Sequence, residues 1–198
     1  EMVRDQALLA SGQLVEELGG PSVCIRQPPG LWAEISDDTY VQGEGEALYR
    51  RSLYAFWKRT VPHPLLMAFD AVDRETCIVR EGRTNTPIQA LVLMNEPGFV
   101  EAACAMARRA LSQSGPSRQQ VLPLLFRLAT GRTARPAELQ LLAASYERHL
   151  QHFNARPNEA EKLFSTVEHK LTDDLPLADL AAYTAVANTL LNLDEMIT

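Results

Sequence analysis

Residues 83–111 read RTNTPIQALVLMNEPGFVEAACAMARRAL. Thr86 is a favoured helix N-cap, and Pro87 suits the first helical position, where no N–H is needed. A helix is expected from Pro87 to about Asn95. Its interior is nearly all apolar, which predicts burial on every side. Gln89 is the exception and, once buried, needs a partner. Asn95-Glu96-Pro97 restarts a second helix by the same logic. Phe99, Ala103, Met106 and Ala110 follow at spacings of four, three and four, which gives that helix one core face. Two Pro-started helices in succession, with no alternating pattern between them, place the chain in the all-α class.

Upstream, residues 46–60 carry Leu53, Phe56, Trp57 and Val61 at helical spacing, flanked by Arg50, Arg51, Lys58 and Arg59. A helix is expected, with a strand as the alternative because Leu53, Ala55 and Trp57 also alternate. Pro62-His63-Pro64 then stops any helix and sets an extended corner. His63 reads as a candidate ligand or base, although no second histidine lies nearby in sequence. Asp70 and Asp73 bracket a turn, and Asp73 suits a cap for the turn holding Arg74 and Glu75. The offsets of a calcium loop are missing. Two carboxylates are also what glycoside hydrolysis uses; the plainer reading is Asp–Arg pairing within the segment.

Toward the N-terminus, Val3, Ala7, Ala10, Leu14 and Leu18 make one apolar stripe, so a helix is expected over 2–18, weakened at Gly12 and ended by Gly19-Gly20-Pro21. Residues 19–45 follow as a long irregular loop with Pro28-Pro29-Gly30 inside it. Such loops are often functional or make domain contacts. Trp32 within it reads either as the anchor of the loop or as a stacking platform for a sugar or a base.

Toward the C-terminus, residues 116–198 read as supporting helices. Val121, Leu125 and Leu128 form one stripe, which Pro123 should kink or delay. Gly131 ends it and Pro136 opens the next helix, with Leu139, Leu142, Tyr146, Leu150 and Phe153 on one side. His149 and His152 sit three apart there, a spacing that suits a shared metal; without a matching third ligand they read as a solvated edge, and no metal site is expected. Residues 157–170 are a polar helix or linker, and 176–195 a last helix with Leu180, Tyr183, Ala187, Leu190 and Leu191 facing inward. The expected fold is a single irregular bundle of six or seven helices with a long N-terminal loop.

Composition bounds what such a bundle does. Hydrophobic residues make up 46% of 198, enough for a core, and the net charge is −6. Seven basic residues against four acidic ones make residues 50–83 a +3 segment and leave the remainder at −9. An acidic chain with one short basic segment lacks the broad basic face of a nucleic-acid binder. No run of about 18 apolar residues offers a membrane span. Sixteen of the nineteen basic residues are arginine, the side chain suited to carboxylate, sulfate or phosphate. Cys24, Cys77 and Cys104 contain no CxxC and no CxxCH, so no cofactor is expected in this chain. The N-terminus carries no signal-peptide pattern and opens in helical pattern, so the chain is expected to be cut from a longer protein, in which an upstream signal peptide would not be seen here.

The segments RRSLYAFWKRTVPHP, FDAVDRETC, RTNTPIQALVLMNEPGFVEAA, FRLATGR and TAVANTLLNLDEMI together resemble the C-terminal domain of unknown function, of the PSD type, in large planctomycete-type proteins. The resemblance covers almost the whole chain, with RTNTPIQAL and LMNEP its most specific part. It implies an exported, extracytoplasmic protein with a c-type haem in an upstream domain, and a link to polysaccharide use. It carries no catalytic residues. Three readings of function follow. The first is an accessory domain that docks an upstream domain of the same protein. The second is a module for anionic glycans or other carbohydrates, using Arg74, Arg83, Asn85 and Trp32, with Gln89 beside them. The third is a glycan hydrolase with Asp70, Asp73 or His63 as acid or base, which needs those groups together around a substrate.

Overall fold

The computed structural model describes residues 1–33, 37–72, 75, 77, 84–114, 118–165 and 176–197. It is all-α: these residues form nine α-helices, no strand and three isolated bridges. Seven helices have eight residues or more; the other two are single turns. The chain divides into two compact units, one of residues 1–5 and 14–92 and one of residues 6–13 and 93–198.

The first helix, α1 (Met2–Ser11), is shorter than its stripe predicts. Gly12 does more than weaken it. With φ +80° it takes the left-handed conformation that ends a helix, with Gly12 N–H on the Leu9 carbonyl and Gln13 N–H on the Leu8 carbonyl. Arg109 seals the same end by donating to the carbonyls of Leu9 and Ala10 at 3.1 and 3.0 Å.

In the first unit the expected helix over 46–60 does not form. Two 3-10 turns stand there instead, Gly45–Tyr49 and Ser52–Tyr54, joined by extended backbone. Outside groups take the bonds that a helix would use. Arg4 donates to the carbonyls of Leu48 and Arg50, and Asp5 accepts from Ser52 N–H at 2.7 Å. Val15 N–H meets the Tyr49 carbonyl, and Val23 pairs with Tyr54 and Phe56 in both directions. Leu53 and Phe56 consequently point outward, while Ala55 joins Ile25 and Leu66 in the core of the unit. Pro64 opens a helix rather than blocking one: α2 (Pro64–Ala68) starts at it, as a proline at N1 should. Asp70, with φ +55°, ends α2 in the position usually given to glycine.

The helix α3 (Pro87–Asn95) starts where the sequence predicts, but it is not buried all round. Leu93 is buried, whereas Ile88, Leu91 and Met94 are 64%, 60% and 51% exposed. An apolar composition states that a helix can be covered, not that this chain covers it.

The second unit is the larger core. Here α4 (Pro97–Ser114), α5 (Val121–Thr130), α6 (Pro136–Ala155) and α7 (Pro157–Phe164) all meet α8 (Leu177–Leu191), and α9 (Asp194–Ile197) closes against α5. Phe99, Ala103, Met106 and Ala110 of α4 are fully buried, as their spacing predicts. So are Leu180, Tyr183, Ala187, Leu190 and Leu191 of α8. Ala181, Ala182 and Ala187 on one helix and Ala102, Ala103 and Ala107 on the other leave little side chain between α4 and α8, so their backbones can pack closely. Pro123 does not kink α5: it lies in the first turn, where the N–H it lacks has no helical acceptor.

Candidate functional site

Asp70 is the best-organised of the predicted site residues. The turn that ends α2 aims its carboxylate at the start of α3. There Oδ2 accepts from Thr84 N–H at 2.8 Å and Thr84 Oγ1 at 2.7 Å, with the Gln89 amide at 3.5 Å. The two Thr84 bonds, and then Gln89, hold its carboxyl below the usual carboxylate range. Gln89, 3% exposed, finds the partners its burial demands. Its Oε1 accepts from Thr86 N–H at 3.0 Å, the Thr86 hydroxyl faces Gln89 N–H at 3.4 Å, and its Nε2 donates to Thr84 Oγ1 at 3.1 Å. Thr86 and Gln89 thus make a reciprocal capping box, and Asp70 fastens that box to the end of α2.

His63 is 4% exposed at the N-cap of α2. Its Nε2 lies 2.9 Å from the Arg26 carbonyl and therefore carries the proton. Nδ1 is buried with no partner. Burial pushes the imidazole down to about 4; the bond to Arg26 opposes this and the Arg4 charge adds to it. His63 is accordingly neutral at pH 7. The partners of His63 and Asp70 are separate, and neither ring nitrogen meets the carboxylate.

Trp32 is half-buried. Its ring meets the edge of Tyr40 at 5.0 Å and Phe56 at 5.8 Å, and Lys58 Nζ lies 4.2 Å over it. Lys58 is held in turn by Asp38 at 2.7 Å. Trp32 also lines a cavity of about 450 Å³ with Gln27, Asp37, Asp38, Thr39 and Gln42. It is both loop anchor and cavity wall. Asn85 is exposed and makes no hydrogen bond among the described residues. Asp73, Arg74 and Arg83 lie outside the described residues.

Sequence reasoning passed over Arg50, taking it as a flank of a helix. It is 5% exposed, donates to the carbonyls of Pro21, Glu17 and Gly19, and lies 4.2 Å over the Tyr54 ring. One guanidinium therefore folds the Gly19-Gly20-Pro21 stretch onto the first unit. A second arginine, Arg132, binds both oxygens of Glu138 at 3.0 and 2.7 Å and both of Glu195 at 2.9 and 2.7 Å, which ties the start of α6 to α9. Arg50 opens RRSLYAFWKRTVPHP and Arg132 closes FRLATGR, but neither segment says what its arginine binds. The one available signal for Arg50 is a charge set among aromatics.

Taken chemically, Asp70, Gln89, His63 and Trp32 cap and pin. Among the described residues no group of three or more His, Cys, Asp or Glu could hold a metal, and no helix is by itself long and apolar enough to cross a membrane. The family model described as PSD1, protein of unknown function (DUF1553), matches residues 1–146. That stretch contains RTNTPIQAL, LMNEP and FRLATGR; the closing TAVANTLLNLDEMI lies beyond it. No curated protein and no solved structure matches.

Proposed function

Because the chain belongs to the PSD1 family of proteins of unknown function, we propose that it is an accessory interaction domain whose helix α3 docks an apolar surface of an upstream domain of the same protein. The observation that carries this reading is the exposure of Ile88 and Leu91, 64% and 60%, one helical turn apart on a helix anchored by its own capping box. Large apolar side chains presented together on a rigid element mark contact surfaces more often than they mark solvent-facing ones. The extracytoplasmic setting and the c-type haem of an upstream domain belong to the same proposal and rest on the resemblance of the motifs. The test is a photo-crosslinking residue at position 88 of the full-length protein. A discrete crosslink to the upstream domain, lost in Leu91→Glu, supports docking. No crosslink, together with unchanged solubility of the Leu91→Glu protein, sinks it.

A second reading is carbohydrate binding, favoured by the cavity in which Trp32 stands beside Gln27, Asp37, Asp38 and Gln42. Aromatic faces with planar hydrogen-bonding groups suit sugars. Calorimetry against neutral and sulfated oligosaccharides, with Trp32→Ala as control, tests it; the absence of heat with all of them counts against it. A glycan hydrolase built on Asp70 and His63 draws no support from their separate partners.

A further inference from the structure

A cavity that lies wholly in the second unit was not part of any site read from the sequence. It has a volume of about 830 Å³ and is lined by α6, α7 and α8, with Met94 beside them. That volume is within the range of small-molecule sites. Its wall is apolar where Phe153, Leu163, Ala185 and Met94 stand.

The polar groups around this wall divide into spent and unspent. The hydroxyls of Thr184 and Thr189 donate to the carbonyls of Leu180 and Ala185 in their own helix. Glu159, the carboxylate among the lining residues, is held by His152 Nε2 at 2.5 Å and lies 3.9 Å from Arg156. Asn188 donates Nδ2 to the Met94 carbonyl at 3.1 Å, which leaves its Oδ1 shielded from solvent without a protein donor. Arg148 and Lys162, one from α6 and one from α7, have no side-chain hydrogen bond or ion pair among the described residues. The cavity thus presents an apolar wall, two cations at its edge that are uncommitted among the described residues, and one buried acceptor without a donor. A buried acceptor without a partner calls for an explanation, and a ligand donor supplies one. The remaining lining histidine, His149, is held below its usual range by burial and by Arg148 and His152, so it adds no charge at neutral pH.

We infer that this cavity binds an amphiphilic anion, a carboxylate or sulfonate on an acyl or aromatic body. The head group pairs with Arg148 and Lys162, the body covers Phe153, Leu163 and Ala185, and any hydroxyl or N–H on it can donate to Asn188 Oδ1. Planar guanidinium and ammonium together suit a carboxylate or sulfonate head. The inference is independent of docking through α3.

The experiment is a fluorescence titration of the 198-residue chain with 1-anilinonaphthalene-8-sulfonate, followed by competition with decanoate, decanol and inorganic sulfate. The expected result is saturable one-to-one binding that decanoate displaces and that decanol and sulfate leave in place. Arg148→Gln with Lys162→Gln should weaken it at least tenfold with an unchanged melting curve, since both side chains are exposed. Ala185→Trp should fill the wall and abolish binding. If that variant does not fold, the charge pair alone decides. Absence of saturable binding, binding unchanged in the charge-pair variant, or displacement by decanol as effective as by decanoate each overturns the inference.

Discussion

Acidification should unfold the first unit through one residue, His63. The imidazole is 4% exposed and held at about 4 in the native state, against an ordinary value of 6.5. The sign follows from which state takes the proton first. Between pH 6.5 and 4 the unfolded chain protonates His63 and the folded one does not, so stability falls as pH drops through that window and levels off below it. Those two values give a loss of about 2 kcal/mol at pH 5 and about 3 kcal/mol at pH 4, relative to pH 8. Arg4 is the charged group that adds to the effect. Both tryptophans, Trp32 and Trp57, belong to the first unit, so urea unfolding followed by their fluorescence reads that unit. His63→Gln keeps an N–H donor for the Arg26 carbonyl and removes the titration. The difference between parent and variant should grow on going to alkaline pH and shrink by about 2 kcal/mol at pH 5. Parallel profiles for the two proteins, or a His63 ring proton that titrates near 6.5 by NMR, would refute the reasoning.

Other perturbations separate pinning from packing. Arg50→Ala should destabilise the first unit by roughly 3 kcal/mol, because the charge-assisted bonds to the carbonyls of Glu17, Gly19 and Pro21 are lost. Arg50→Lys should not restore it, since an ammonium cannot reach the same carbonyls at once; tryptophan fluorescence in urea reads both. Tyr146→Phe removes the donor that Asp179 accepts at 2.6 Å inside the second unit, and should cost about 2 kcal/mol by far-UV circular dichroism in urea. Arg132, and then the Arg135 N–H, hold Glu138 at about 2, below its ordinary 4.5. The stabilisation from this bridge is therefore full above pH 4.5 and lost as pH falls toward 2, and Glu138→Gln should flatten the melting temperature over that window.

Helical periodicity was legible wherever the covering partner was another long helix. Phe99, Ala103, Met106 and Ala110 needed only a face, and α8 supplied the surface that buries it. Over residues 46–60 the same periodicity misled. Whether backbone groups bond within a helix or to Arg4, Asp5, Val15 and Val23 depends on distant residues, and no local window contains them. Gln89 could be recognised as needing a partner, and Thr86 three residues before it is the sequence sign of a capping box. Arg50 was hidden because a buried arginine and a flanking one look alike until the carbonyls it meets are known. At α3 hydrophobicity was readable but the identity of its cover was not, and that difference motivates the docking proposal.

The seal on the end of α1 has a consequence for how the chain is made. Arg109 holds carbonyls of Leu9 and Ala10 across sequence separations of 100 and 99 residues. On a ribosome, residues 6–13 leave the tunnel long before their partner, and α8, which meets α4 to α7, leaves after all of them. The first unit has nearly all of its residues in one run and can form as it emerges. The second cannot complete its core until α8 has emerged. Contacts of this range fold slowly and leave apolar surface open while they wait. Synthesis of this chain therefore has an aggregation-sensitive interval before α8 emerges, and truncation within α8 should harm solubility more than an equally long deletion in residues 19–45.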